Sequence, residues 1–229
     1  MKTLKTKNHL TYGKHSHTIW YGMDKKRHMA EGRTSMNAWL EEGLKVLAES
    51  GHPSLTIDLL AERLHLTKGS FYHHFNSRQD YTESLLSYWE KQMTLDIIEA
   101  TEKIGENFAD RNAALIRLSR MDQNSNLEVA IRAWALSNSL VRKYQQRVDK
   151  IRLDYLEKLF GMLTHDKETR KRMALIRYCM YVGTQQVLPK IRGETLSALY
   201  HELHRMLERK AEANPSGNIQ APTDKPNGD

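Results

Sequence analysis

The sequence has a single cysteine, Cys179, so no disulfide can form within the chain, and its thiol chemistry fits a reducing cytoplasm. No apolar run approaches the ~20 residues of a membrane-spanning helix. The basic amino-terminal stretch also lacks the apolar centre of a signal peptide, so a soluble cytoplasmic protein is predicted. Beyond residue 100 there is no strand-like alternation, no glycine-rich phosphate loop and no internal repeat. No nucleophile motif and no paired carboxylates stand in a recognisable catalytic setting. An all-α enzyme is therefore the lesser alternative, resting only on the His, Tyr and carboxylate content. No cofactor and no metal site are expected.

What the chain does have is length and positive charge. Its 229 residues suffice for one large or two modest domains, and its formal net charge of +7 favours a polyanionic partner or an anionic membrane surface. The charge is uneven: Lys2, Lys5, Lys7, Lys14, Lys25, Lys26, Arg27 and Arg33 face only Asp24 and Glu31 in the first 33 residues. That stretch shows no sustained periodicity and is predicted to be a basic, disordered arm, with Met23 as an alternative start. Its His9, His15 and His17 lack the fixed geometry a metal requires. Residues 213–229 hold Pro215, Pro222 and Pro226 with almost no apolar content and are predicted to be a loose tail.

The most organised stretch is residues 54–78. Ile57, Leu60, Ala61 and Leu64 recur on one helical face behind Thr56, a hydroxyl placed to cap free N–H groups. After a turn at His65 and Leu66, Thr67 can cap a second helix running from Lys68 to about Phe75. At about 100° per residue, Phe71 and Phe75 of that helix face inward and leave Gly69, Ser70, Tyr72 and His73 outward. A small polar face suits the DNA major groove. Gly69 allows close backbone approach, Thr67, Ser70 and Tyr72 can donate to phosphates, and Lys68 adds charge. A helix over residues 37–49, with Leu40, Leu44 and Leu47 on one face, buttresses the pair. A longer helix from Arg78 to about Glu99, carrying Tyr81, Leu85, Tyr88, Trp89 and Gln92 on one stripe, leads onward.

Thr56, the run DLLAERLHLTKGSFYHHFNSRQD and the later LLSYWE resemble the DNA-binding domain of the tetracycline-repressor (TetR) family of bacterial regulators. The resemblance spans roughly residues 37–89. It implies a helix-turn-helix domain over residues 34–83, with Thr56, Thr67, Lys68, Gly69, Ser70, Tyr72, His73, His74 and Arg78 as the DNA-binding residues. Its implied partner is double-stranded DNA carrying an inverted-repeat operator.

Further helices are expected at residues 111–120, 127–135, 138–163, 167–188 and 194–211, with a polar break at 121–126, so the fold class is all-α. Residues 84–212 resemble the family's regulatory domain more loosely, through EVAIRAWALSNS and VDKIRLDYLEKLF. That likeness implies a homodimer and a small organic effector that releases a repressor from its operator. An effector-independent DNA binder is the alternative. Aromatic and sulfur side chains suited to an effector pocket are Trp89, Met93, Trp134, Tyr155, Tyr178 and Met180, with Gln185 to orient a polar group. A dimer seam is expected to draw on Met173, Ile176, Gly183 and Val187 of the penultimate helix and Leu196, Leu199, Leu203 and Met206 of the last. His201 and His204 share a helical face without a third ligand, so an exposed pair is expected.

Overall fold

The computed structural model describes residues 35–119 and 122–212, and side chains within them except at 122–125 and 210–212. The expected basic arm, its histidines, Met23 and the carboxy-terminal tail lie outside the described residues. Within them every regular element is a helix, with no strand. Three helices come first: α1 (Met36–Ser50), α2 (Ile57–Leu64) and α3 (Lys68–His74). A short 3-10 turn, His52–Ser54, follows α1, and Gly51 before it has φ 72, a left-handed conformation that a side chain would strain. Next come α4 (Arg78–Glu90), a π turn (Lys91–Leu95) and α5 (Asp96–Glu102). The remainder is α6 (Phe108–Ser119), α7 (Asp122–Ser137), α8 (Ser139–Phe160), α9 (Lys167–Gln186) and α10 (Gly193–Glu212).

Local chemistry sets the helix starts. Thr56 Oγ1 accepts from Leu59 N at 3.2 Å, Thr67 Oγ1 from Ser70 N at 3.3 Å and Ser77 Oγ from Asp80 N at 3.0 Å. Each satisfies a backbone donor that has no partner inside its own helix. Asn138 and Asp166 cap α8 and α9 in the same way. At the end of α2, His65 adopts φ 55, letting its own N–H and that of Leu66 return to carbonyls of the last turn. This left-handed residue makes the tight corner between α2 and α3.

Two expectations about continuity are corrected. Of the stretch 121–126, expected to be a polar break, residues 122–126 belong to α7, and 121 lies outside the described residues. The stretch contains no glycine or proline, and polarity alone does not end a helix. Nor is the helix after Arg78 uniform: a π turn separates α4 from α5, which runs on to Glu102.

One core cluster joins Trp39, Leu60, Phe71, Phe75, Tyr81, Leu85 and Trp89 to Ile131, Trp134, Val141 and Val148. The reading unit and the start of the second half thus share packing through α4. A second cluster gathers Phe108, Leu156, Leu159, Phe160, Met173, Tyr178 and Leu207.

Candidate nucleic-acid interface

The second helix of the pair is anchored by its aromatic face. Phe71 and Phe75 are fully buried, and their rings lie 5.0 Å apart. Trp39 meets Phe71 edge-on at 5.4 Å and Tyr81 meets Phe75 edge-on at 4.9 Å, so α1 and α4 both grip α3 from behind. The Tyr81 hydroxyl donates to the Trp39 carbonyl at 3.0 Å, and burial raises its pKa well above the tyrosine value, so it remains a donor. With the inner face fixed, the outer face presents exposed Thr67, Lys68, Gly69, Tyr72 and His73, with half-buried Ser70 and His74 beside them. A Cβ at Gly69 would approach only Thr67 Oγ1, at 3.5 Å, which leaves the backbone accessible from outside.

Electrostatics leave this face free to engage an anion. Lys68 pairs with Asp58 at 2.5 Å, both largely exposed, and the hydrogen bond and charge of Asp58 raise the lysine pKa. A solvated pair of this kind contributes little and exchanges readily for a phosphate. Thr56 and Thr67 use an oxygen for capping and keep their hydroxyl hydrogens. Arg78 is exposed at the start of α4. Its Nη2 donates to the Leu55 carbonyl at 3.1 Å, so it ties the loop before α2 to the start of α4. Beside it, the His52 ring stacks on Trp134 at 4.4 Å and 18°, and a small open pocket is lined by His52, Leu55, Arg78, Tyr81, Thr82 and Trp134. Burial and the Arg78 charge lower the His52 pKa.

Trp134, expected to line an effector pocket, stacks on His52 at this pocket. Four of the others do converge. Trp89 Nε1 donates to Glu128 Oε1 at 3.3 Å, and the Met93 carbonyl accepts from Arg152 Nη2 at 3.0 Å. The phenol of Tyr178 and the side chain of Gln185 come to the same centre through Arg152 and Tyr181. Arg152 and Glu128, which sequence reasoning missed, form its middle: both Glu128 oxygens accept from the guanidinium, at 2.7 and 2.8 Å. Burial opposes the charged guanidinium, yet the adjacent carboxylate raises its pKa well above the usual value. Burial pushes the Tyr181 phenol up to about 12, with Glu128 adding to the effect.

A second interior network adjoins the first. Asp149 accepts from Arg132 at 2.8 Å, from Tyr178 at 2.7 Å and from Gln145 at 2.6 Å. Burial alone would raise the Asp149 pKa, but the Arg132 and Tyr178 hydrogen bonds outweigh it and hold it low. Tyr155 lies apart, its pKa raised by burial and then by Glu102, and Met180 is half-buried. The signal for the missed residues was present: Gln145 and Arg152 interrupt the stripe Val141, Val148, Tyr155 and Leu159 on α8.

Ile176, Gly183, Leu199 and Met206 on the last two helices, and Val187 just past the end of α9, are exposed, whereas Leu196 and Leu203 are half-buried. Met173, expected in the dimer seam, is 1% exposed and packs in the second core cluster, so it serves the chain's own interior. His204 stacks on Phe108 at 5.6 Å and approaches Glu208 at 3.2 Å, while His201 is exposed. Among the described residues no group of three metal-ligating side chains assembles, and no helix is long and apolar enough to cross a membrane.

Residues 40–82, which hold the three-helix unit, match the family described as bacterial regulatory proteins, tetR family. No curated protein matches the sequence. Among solved structures, the fold is similar to a transcriptional regulator from Rhodococcus sp. Rha1, at 16% identity and a TM-score of 0.58, over 79% of this chain and 95% of that one. It is also similar to a TetR transcriptional regulator from Legionella pneumophila, at 10% identity and a TM-score of 0.59, over 81% of this chain and all of that one. At such identities the neighbours establish the shared fold. Residues 40–82 are thus similar to the tetR family of bacterial regulatory proteins, and the chain shares the all-α fold of these solved structures.

Proposed function

We propose that the chain is a sequence-specific repressor that binds an inverted-repeat operator as a homodimer and is released by a small organic effector. The observation that carries the reading is the outer face of α3, where Gly69, Ser70, Tyr72 and His73 stand clear of a buried aromatic inner face. Lys68, Tyr72 and the threonine caps Thr56 and Thr67 supply phosphate contacts, and Ser70, His73 and His74 read base edges. The exposed apolar side chains Ile176, Val187, Leu199 and Met206 support a two-fold seam on α9 and α10, since such groups gain from burial against a copy of themselves. The effector is assigned to the centre around Trp89, Met93, Tyr178 and Gln185, next to the helix that carries the reading unit. The satisfied Glu128–Arg152 pair at that centre favours one competing reading, an effector-independent binder whose interior is only structural.

The test is selection of fragments from the host genome by the purified protein, followed by footprinting. Enrichment of duplexes with two inverted half-sites at least one helical turn apart, ~34 Å, is expected. Enrichment of no duplex above background defeats the DNA reading. Metabolite pools that change neither tryptophan fluorescence nor the protein–operator complex defeat the effector reading alone.

A further inference from the structure

The helix that carries the reading unit into the second half changes register once. In the π turn the Asp96 N–H reaches back five residues to the Lys91 carbonyl, where an α-helix reaches back four. A turn of this kind persists only where other contacts take up the displaced backbone groups. Arg152 reaches the turn from α8, donating through Nη2 to the Met93 backbone carbonyl and through Nε to the Thr94 side-chain hydroxyl oxygen, both at 3.0 Å. The guanidinium is itself held by Glu128, and the same carboxylate accepts from Trp89, two residues ahead of the π turn. On the solvent side Lys91 donates to both oxygens of Asp96, at 2.7 and 2.9 Å. Residues five apart line up across a π turn, whereas partners three or four apart line up on an α-helix.

We propose that Arg152 is a positioning residue for DNA binding: by holding the π turn it fixes the register of α4 and so the attitude of the reading helix α3. The inference rests on the DNA-binding reading above. Without the donors to Met93 and Thr94 the extra residue is free to migrate. Each position it passes then shifts by about 1.5 Å along the axis and turns by about 100°. Tyr81 and Leu85, which pack behind α3, lie on the helix so displaced.

The experiment uses the full chain and a labelled duplex that the wild-type protein has enriched from a random-sequence pool. The double variant E128M/R152M removes both charges together and so leaves no lone buried ion. It is expected to unfold near the wild-type temperature, to exchange its amides faster at residues 94–97, and to bind the duplex about tenfold more weakly or worse. Arg152→Lys keeps a cation for Glu128 but loses the forked donors, and is expected to fall between the two on both measures. A folded double variant with wild-type exchange at 94–97, or with wild-type duplex affinity, overturns the proposal. If that variant does not fold, Thr94→Val removes only the hydroxyl that Nε reaches. Faster exchange with weaker binding then supports the proposal, and no change in either overturns it. A wild-type protein that enriches no duplex fails at the earlier step and defeats the DNA reading itself.

Discussion

Replacing Gly43 by alanine tests how closely the helix behind the reading unit is packed. Gly43 is buried in α1, and a Cβ there would overlap the hydroxyl of Tyr81 and stand 3.2 Å from its Cζ and 3.1 Å from Leu85 Cδ1. Both neighbours are buried on α4, so neither can swing out into solvent. Three effects compete. Alanine gains about 1 kcal/mol of helix propensity over glycine. Overpacking in a filled core costs about 1–3 kcal/mol. The displaced hydroxyl also gives up its hydrogen bond to the Trp39 carbonyl, about 1 kcal/mol. The sum is a loss of about 1–3 kcal/mol, read by urea unfolding with tryptophan fluorescence. Tyr81→Phe alone loses about 1 kcal/mol with the hydrogen bond. In G43A/Y81F the overlapping atom is gone, so the double variant is expected within about 1 kcal/mol of Tyr81→Phe, a coupling that a double-mutant cycle isolates. A Gly43→Ala protein as stable as the wild type, or a loss that Tyr81→Phe does not relieve, refutes the packing argument.

Other perturbations separate the remaining roles. Tyr72→Ala and Lys68→Ala are expected to weaken DNA binding evenly across sequences, with Lys68→Ala also lowering the salt slope by about one unit, while His73→Ala relaxes specificity, read by titration at several salt concentrations. Because burial and Arg78 lower the His52 pKa, the folded state disfavours the charged ring. Its contribution to stability is whole above the ordinary value of 6.5 and is lost as pH falls through the lower folded value, so His52→Phe should flatten the acid side of the stability profile. His65→Gly relieves a left-handed side chain and is expected to raise stability by about 0.5–1 kcal/mol in urea unfolding. Leu199→Asp with Met206→Asp is expected to give a monomer in sedimentation, and a stable dimer in that variant moves the seam elsewhere.

What the sequence made legible were features decided within a few residues. Thr56 and Thr67 could be read as caps because a cap needs only a hydroxyl three residues ahead of a free N–H. Phe71 and Phe75 could be placed inward because their spacing fixes their side of the helix. Residues 122–126 were harder, since a polar run with no glycine or proline is compatible with both a loop and a solvated helix. The π turn escaped because the stripe through Leu85 and Trp89 sets no register beyond itself. Only the Lys91 and Asp96 pair, five residues apart, signalled it.

The interior centre depends on meetings between distant segments, and this limits what local pattern can supply. Trp89, Met93, Tyr178 and Gln185 could be chosen by type as pocket material, yet the group that gathers them is an ion pair between Glu128 and Arg152. Its burial constrains the chemistry of any effector acting there. Parting the pair would leave an uncompensated buried charge at about 3–5 kcal/mol, more than the ~1–3 kcal/mol of a useful allosteric coupling. A purely apolar effector therefore has to act with the pair intact, by shifting Tyr178 or Tyr181 against it. An effector that opens the pair must itself bring hydrogen-bonding or charged groups to replace the partner it displaces.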